Sequence, residues 1–188
     1  MRDFQSIFSI SNEQEFDKLA LEIFEFQSQN CKVYRDYLSL LKTPKPSFIE
    51  EIPFLPISFF RTHQVMTENS GFSKIFKSSG TTDSERSQHF IADLSLYEKS
   101  FEKSWRHFIG NPEEQVILAL LPNYLEQGDS SLVYMVDCLI KMTNDSLSGF
   151  VLNENSEIHQ RYLKATELGK KCIILGVSYA LLDLAEHN

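Results

Sequence analysis

At 188 residues, with 42% hydrophobic side chains and 15 phenylalanines, the chain can bury a bulky core as one domain or one large subdomain, and its composition is that of a folded protein. A formal charge of −8 argues against general affinity for nucleic acid or anionic membrane, since both favour basic patches, so any phosphate site has to be local. No apolar stretch reaches signal-peptide or membrane-span length, and a soluble, cytoplasmic protein is expected. Cys31, Cys138 and Cys172 are odd in number, widely spaced and without metal-ligand spacing; they read as reduced core thiols.

The first forty residues are helical in pattern. Ser11 and Gln14 stand at capping-box spacing, and Phe16, Leu19, Ala20, Ile23 and Phe24 recur at helical intervals. A second amphipathic run carries Val33, Tyr34, Tyr37, Leu38 and Leu41 and stops before Pro44 and Pro46. Residues 1–46 are therefore read as a helical segment packed on the body, and 47–188 as an α/β subdomain. In 47–65, Pro53 and Pro56 prevent regular helix while Phe54, Leu55, Ile57, Phe59 and Phe60 call for burial, which predicts an extended segment.

Residues 72–77 and 87–92 alternate polar and apolar side chains, as half-buried strands do. Between them lies Lys-Ser-Ser-Gly-Thr-Thr-Asp-Ser-Glu-Arg-Ser, residues 77–87. Gly80 can adopt backbone angles closed to other residues and lets an anion approach neighbouring N–H groups. Ser78, Ser79, Thr81 and Thr82 add hydroxyls, and Arg86 adds a forked cation suited to phosphate. Two readings fit this composition: a phosphate cradle, or a polar hairpin tip, since the same residue types dominate ordinary turns. Neither a Gly-x-Gly-x-x-Gly after a strand nor a Gly-x-x-x-x-Gly-Lys-Ser/Thr occurs, so a dinucleotide fold and a P-loop NTPase are not expected.

Beyond the loop the pattern is regular. A helix carries Leu94, Tyr97, Phe101, Trp105 and Phe108, with Ser95 and Glu98 as a capping box. A buried strand over 115–121 ends at Pro122, a helix follows from 128–131, and 149–152 is a short strand. Ser156 caps a helix that Gly169 ends, 172–177 is the next buried strand, and Ser178 opens the last helix. This alternation predicts an α/β fold: a mainly parallel sheet with flanking helices, preceded by the N-terminal helical segment. Ligands in such sheets gather at the carboxyl ends of strands, so the turns at 122–126 and 176–179 are candidate pocket walls as well as ordinary strand-to-helix turns. His63, His89, His107, His159 and His187 have no partner at ligand or triad spacing.

The loop at 78–82, Ser-Ser-Gly-Thr-Thr, its position and the βα units after it resemble the adenylate-forming ligases, whose loop reads Ser/Thr-Ser-Gly-Thr-Thr-Gly-x-Pro-Lys. Together with 52–60, Ile-Pro-Phe-Leu-Pro-Ile-Ser-Phe-Phe, the likeness is to the bacterial acyl-protein synthetase branch in particular. It implies an incomplete N-terminal part of an adenylate-forming domain, in which Ser78, Ser79, Gly80, Thr81 and Thr82 hold the β- and γ-phosphates of ATP with Arg86 near their charge. It further implies an acyl and adenylate pocket bordered by Asn123, Tyr124 and Gly176. The implied substrates are a carboxylic acid, such as a fatty acid, and Mg2+-bound ATP; the implied acceptor is a thiol, on a protein cysteine or coenzyme A. Two positions depart from the pattern: Asp83 replaces the second glycine and brings a carboxylate beside the proposed polyphosphate, and Glu85 stands where many members carry Pro. The family's later motifs would all lie beyond Asn188, so a chain ending there is expected to be inactive alone and, with apolar surface left uncovered, to self-associate. A noncatalytic binding or interaction module on the same scaffold is the alternative.

Overall fold

The computed structural model describes residues 5–78, 86–121, 128–151 and 155–186. The chain divides into two compact units, Met1–Tyr97 and Glu98–Asn188.

The first unit opens with α1, Glu13–Asn30, and α2, Lys32–Leu41. The start of α1 is capped one residue later than the Ser11 and Gln14 spacing predicts. Asn12 accepts from the Glu15 N–H at 2.9 Å, while the Glu15 carboxylate turns back to accept from the Ser11 N–H at 2.9 Å and from the Ser11 hydroxyl at 3.0 Å. An amide and a carboxylate thus satisfy the first-turn donors from both sides. Phe24, Cys31 and Tyr34 are buried between the two helices, with Ile52, Leu55 and Val65 packed against them. The Tyr34 hydroxyl donates to the Pro53 carbonyl at 2.6 Å, tying the proline-rich segment to α2. That segment is not extended throughout: Ile49–Glu51 forms a 3-10 turn, and Phe59–Thr62 forms one helical turn, α3, placed where the prolines no longer interfere. Strands β1, Lys74–Lys77, and β2, Gln88–Ile91, then pair antiparallel.

A helix, α4, runs over Leu94–Phe108. The Ser95 and Glu98 capping box does not form. Asp93, just ahead of the helix, accepts from the Ser95 N–H at 3.0 Å and the Ser95 hydroxyl at 2.7 Å, and Glu98 accepts instead from the Tyr134 hydroxyl.

The second unit is a three-stranded parallel sheet of β3, Gln115–Leu120, β4, Gly149–Phe150, and β5, Lys171–Gly176, in the order β4-β3-β5. Helices α5, Ser131–Thr143, α6, Asn155–Glu167, and α7, Ser178–Glu186, connect and follow the strands. Every residue of β3 is buried, which is why its sequence is an unbroken apolar run after Gln115. Val116, Leu118 and Leu120 pack with Ile158 and Ala165 of α6 and with Ala180 and Leu184 of α7. Ala119 and Leu121 pack with Val136 of α5 on the other side. Each large aliphatic side chain buried in this way contributes roughly 1.5–3 kcal/mol. Gln115, the polar residue of β3, is satisfied on both side-chain atoms, accepting from the Trp105 ring N–H at 3.0 Å and donating to the Ile109 carbonyl at 3.2 Å.

The architecture is therefore α/β with a parallel sheet in the second unit, as the alternation predicts, while β1 and β2 form a separate antiparallel pair rather than joining it.

Candidate functional site

The hydroxyl-rich segment is carried on the β1–β2 hairpin. Lys74 pairs with Ile91, Ile75 with Phe90, Phe76 with His89 and Lys77 with Gln88. One rung beyond the strands, three contacts close the mouth. The Ser78 N–H donates to the Ser87 carbonyl at 3.0 Å, the Ser87 N–H donates to the Ser78 hydroxyl oxygen at 3.1 Å, and Arg86 Nε donates to the Ser78 carbonyl at 2.5 Å. The structure thus brings Ser78 and Arg86 together and fastens the guanidinium at the point where the loop leaves β1. Ser79, Gly80, Thr81 and Thr82, together with Asp83 and Glu85, lie outside the described residues.

Two residues to which the sequence assigned no site role belong to this platform. Ser87 supplies the backbone half of the closure. It stands in the same alternation as His89 and Ile91, and that parity is the signal that would have picked it out. His89 meets Phe60 of α3 in an edge-to-face ring pair, with centroids 5.4 Å apart. On the same face, Phe76 is buried against Tyr97 with ring centroids 5.4 Å apart, and Lys74 Nζ lies 5.6 Å from the centre of the Phe76 ring. At the far end the Ser73 N–H donates to the Ile91 carbonyl at 2.7 Å, and its hydroxyl to the Ala92 carbonyl at 2.9 Å. The hairpin is therefore fixed at both ends by the chain itself.

In the second unit, the connection after β3 leads to α5 on one face, and the turn after β5 leads to α7 on the opposite face. Adjacent parallel strands whose exits diverge in this way form a switch point, where open α/β sheets hold ligands. Asn123 and Tyr124, expected in this wall, lie outside the described residues. Gly176 ends β5 opposite Leu120. A Cβ added there would meet Leu120 Cβ at 3.0 Å, Leu181 Cδ2 at 3.2 Å and the Leu120 carbonyl at 3.3 Å. The close approach that this glycine permits is thus made by the protein's own β3 and α7. The first turn of α5 is capped by the Ser130 hydroxyl, which accepts from the Val133 N–H at 3.4 Å.

Among the described residues no group of three or more His, Cys, Asp or Glu side chains is placed to hold a metal ion. Cys31, Cys138 and Cys172 are free, and burial pushes the Cys138 and Cys172 thiols up, away from the thiolate a nucleophile needs. An open depression of about 290 Å3 in the first unit is lined by Phe24, Leu38, Pro53 and the Glu25–Lys45 ion pair, and no residue of the hairpin contributes to it. No helix among the described residues is long and apolar enough to cross a membrane. No family model matches the chain, and neither a curated protein nor a solved structure matches it.

Proposed function

We propose that this chain is the phosphate-binding N-terminal part of an ATP-dependent ligase that activates a carboxylic acid, a fatty acid in the simplest case, as an acyl-adenylate for transfer to a thiol. The observation that carries the reading is the closure of the loop mouth. A Ser-Ser-Gly-Thr-Thr run leaves one strand, returns on its antiparallel neighbour, and has an arginine anchored at its base through Nε. Such a loop offers backbone N–H groups and hydroxyls to a polyphosphate from a frame that does not have to be organised at the moment of binding. Arg86 lies at the same mouth with a cationic group of the right geometry.

In the proposed reaction the carboxylate attacks the α-phosphorus, the bond to the β-phosphate oxygen breaks, and pyrophosphate leaves. The acyl group then passes to a sulfur on a protein cysteine or on coenzyme A, releasing AMP. Ser78, Ser79, Gly80, Thr81 and Thr82 would hold the β- and γ-phosphates, with Arg86 offsetting their charge; catalysis of this kind rests on positioning and charge neutralisation. Mg2+ would arrive on the triphosphate and neutralise part of its charge. Asn123 and Tyr124 are proposed for the acyl and adenylate pocket. Gly176 acts there through the packing of its neighbours, because Leu120 and Leu181 already fill the space beside it.

A noncatalytic binding module is the competing reading, and Asp83 favours it by putting a carboxylate inside the loop. Carboxylate-dependent exchange of labelled pyrophosphate into ATP separates the two. The assay compares the full-length gene product with the 188-residue chain and with Gly80→Val. Exchange in the full-length protein that disappears on substitution is the expected result; no exchange across a broad panel of acids would leave the noncatalytic module.

A further inference from the structure

We propose that the Phe60–His89 ring pair is the strut that sets the mouth of the hydroxyl-rich loop, with His89 a positioning residue that works as the neutral imidazole. The inference rests on the nucleotide reading for its consequence, but not for its geometry. His89 stands directly across from Phe76, and two residues toward the loop, past the Lys77–Gln88 pair, is the Ser78–Ser87 closure, about 7 Å further along the strands. A displacement of β2 at His89 is therefore passed to Ser87, and through it to the Ser78 hydroxyl and carbonyl that organise the mouth. On its outer side His89 meets Phe60, the second residue of α3, which follows the proline-rich segment anchored by the Tyr34 hydroxyl. The α3 turn and strand β2, 29 residues apart between Phe60 and His89 in the sequence, thus meet through this ring pair.

The surroundings favour the uncharged ring. The charged or titratable groups on the elements packed against it are Lys74 and Lys77 on β1, Arg61 on α3 and His63 just after it, with Arg86 ahead of β2. Neither strand nor α3 carries a carboxylate. The nearest acid at the start of α4, Asp93, already accepts from Ser95. Although much of its surface remains exposed, partial desolvation lowers the pKa of His89 below its ordinary 6.5. A histidine lowered in the folded state supports the fold above its unfolded pKa of about 6.5, and that support is lost as the pH falls through the folded pKa. Protonation would put a charge on a partly desolvated ring packed edge-to-face with Phe60, loosening the strut.

Two measurements test this. In amide and imidazole spectra of the 188-residue chain between pH 8 and pH 5, the Ser78 and Ser87 amide shifts should move with the midpoint of the His89 ring. In Phe60→Ala that midpoint should rise toward 6.5, and in His89→Phe the two amides should no longer titrate. Affinity for MgATP at pH 7.5 should fall about three- to tenfold in His89→Ala and in Phe60→Ala, the effect of one aromatic pair, with the double variant no weaker than either single one. His89→Phe, which keeps a ring against Phe60, should bind within about twofold of the parent. Ser78 and Ser87 amides indifferent to the His89 titration, or additive losses in the double variant, would overturn the proposal. Should the 188-residue chain bind no MgATP at any pH, the amide titration alone decides the role of His89, and pyrophosphate exchange in the full-length protein decides the proposed function.

Discussion

Gly176 shows what an absent side chain makes room for inside the fold. In the sequence it is a glycine at the carboxyl end of an apolar strand, a position where close approach of a ligand is a natural reading. In the structure the approaching atoms belong to Leu120 and Leu181. Gly176→Ala therefore overpacks the junction of β3, β5 and α7 and should destabilise the second unit by about 1–3 kcal/mol, seen as a lower urea midpoint with an unchanged slope. A midpoint equal to that of the parent would mean that Leu181 swings aside without cost. The capping residues teach a related lesson. Ser11 with Gln14 and Ser95 with Glu98 have the right spacing, yet Asn12 with Glu15 and Asp93 do the capping. Neighbouring Ser, Asn and Asp residues compete for the same donors, and spacing alone does not rank them.

At the scale of elements, α2 ends on a lysine where glycine is the usual residue. Lys42 adopts φ 53° and ψ 27°, the left-handed conformation that terminates the helix ahead of Pro44. A side chain with a Cβ is strained there by about 1–2 kcal/mol, part of which glycine recovers at the cost of extra freedom in the unfolded chain. Lys42→Gly should consequently stabilise the first unit by about 0.5–1 kcal/mol, measurable as a higher midpoint in thermal or urea unfolding; a lower midpoint would show that Lys42 has a compensating role in the fold. Strand β5 poses a different question. Its apolar residues alternate between both helix layers, Cys172 and Ile174 toward α6 and α7, Leu175 toward α5, as in a strand enclosed on both faces. Among the described strands it nevertheless pairs only with β3, and its residues are half-buried where those of β3 are fully buried.

For the whole molecule, each unit leaves bulky apolar side chains in solvent. In the first, Phe54 is 78% and Ile57 83% exposed; in the second, Tyr179 is 86% exposed with Leu182 beside it on α7. A chain of net charge −8 resists nonspecific clustering, so contact patches of this kind are expected to give limited self-association rather than precipitation. Sedimentation velocity should show the mean mass rising with concentration, and Ile57→Lys and Tyr179→Lys should assign the effect to one unit or the other. A compact monomer at high concentration in the parent would refute it. Much of the architecture was legible in advance: the helices of the first forty residues, the β1–β2 hairpin and the alternation from β3 to α7 all follow from hydrophobic period and turn residues, which are local properties. The 3-10 and α3 turns in the proline-rich segment, the separation of the sheet into a hairpin and a parallel layer, and the pairing of Phe60 with His89 depend on which surfaces meet. Side-chain period says which face of an element is apolar, and nothing about which other apolar face will cover it. That choice is made by packing over the whole chain, and here it brings Leu120 and Leu181 against Gly176, and a phenylalanine from a distant turn against the histidine of β2.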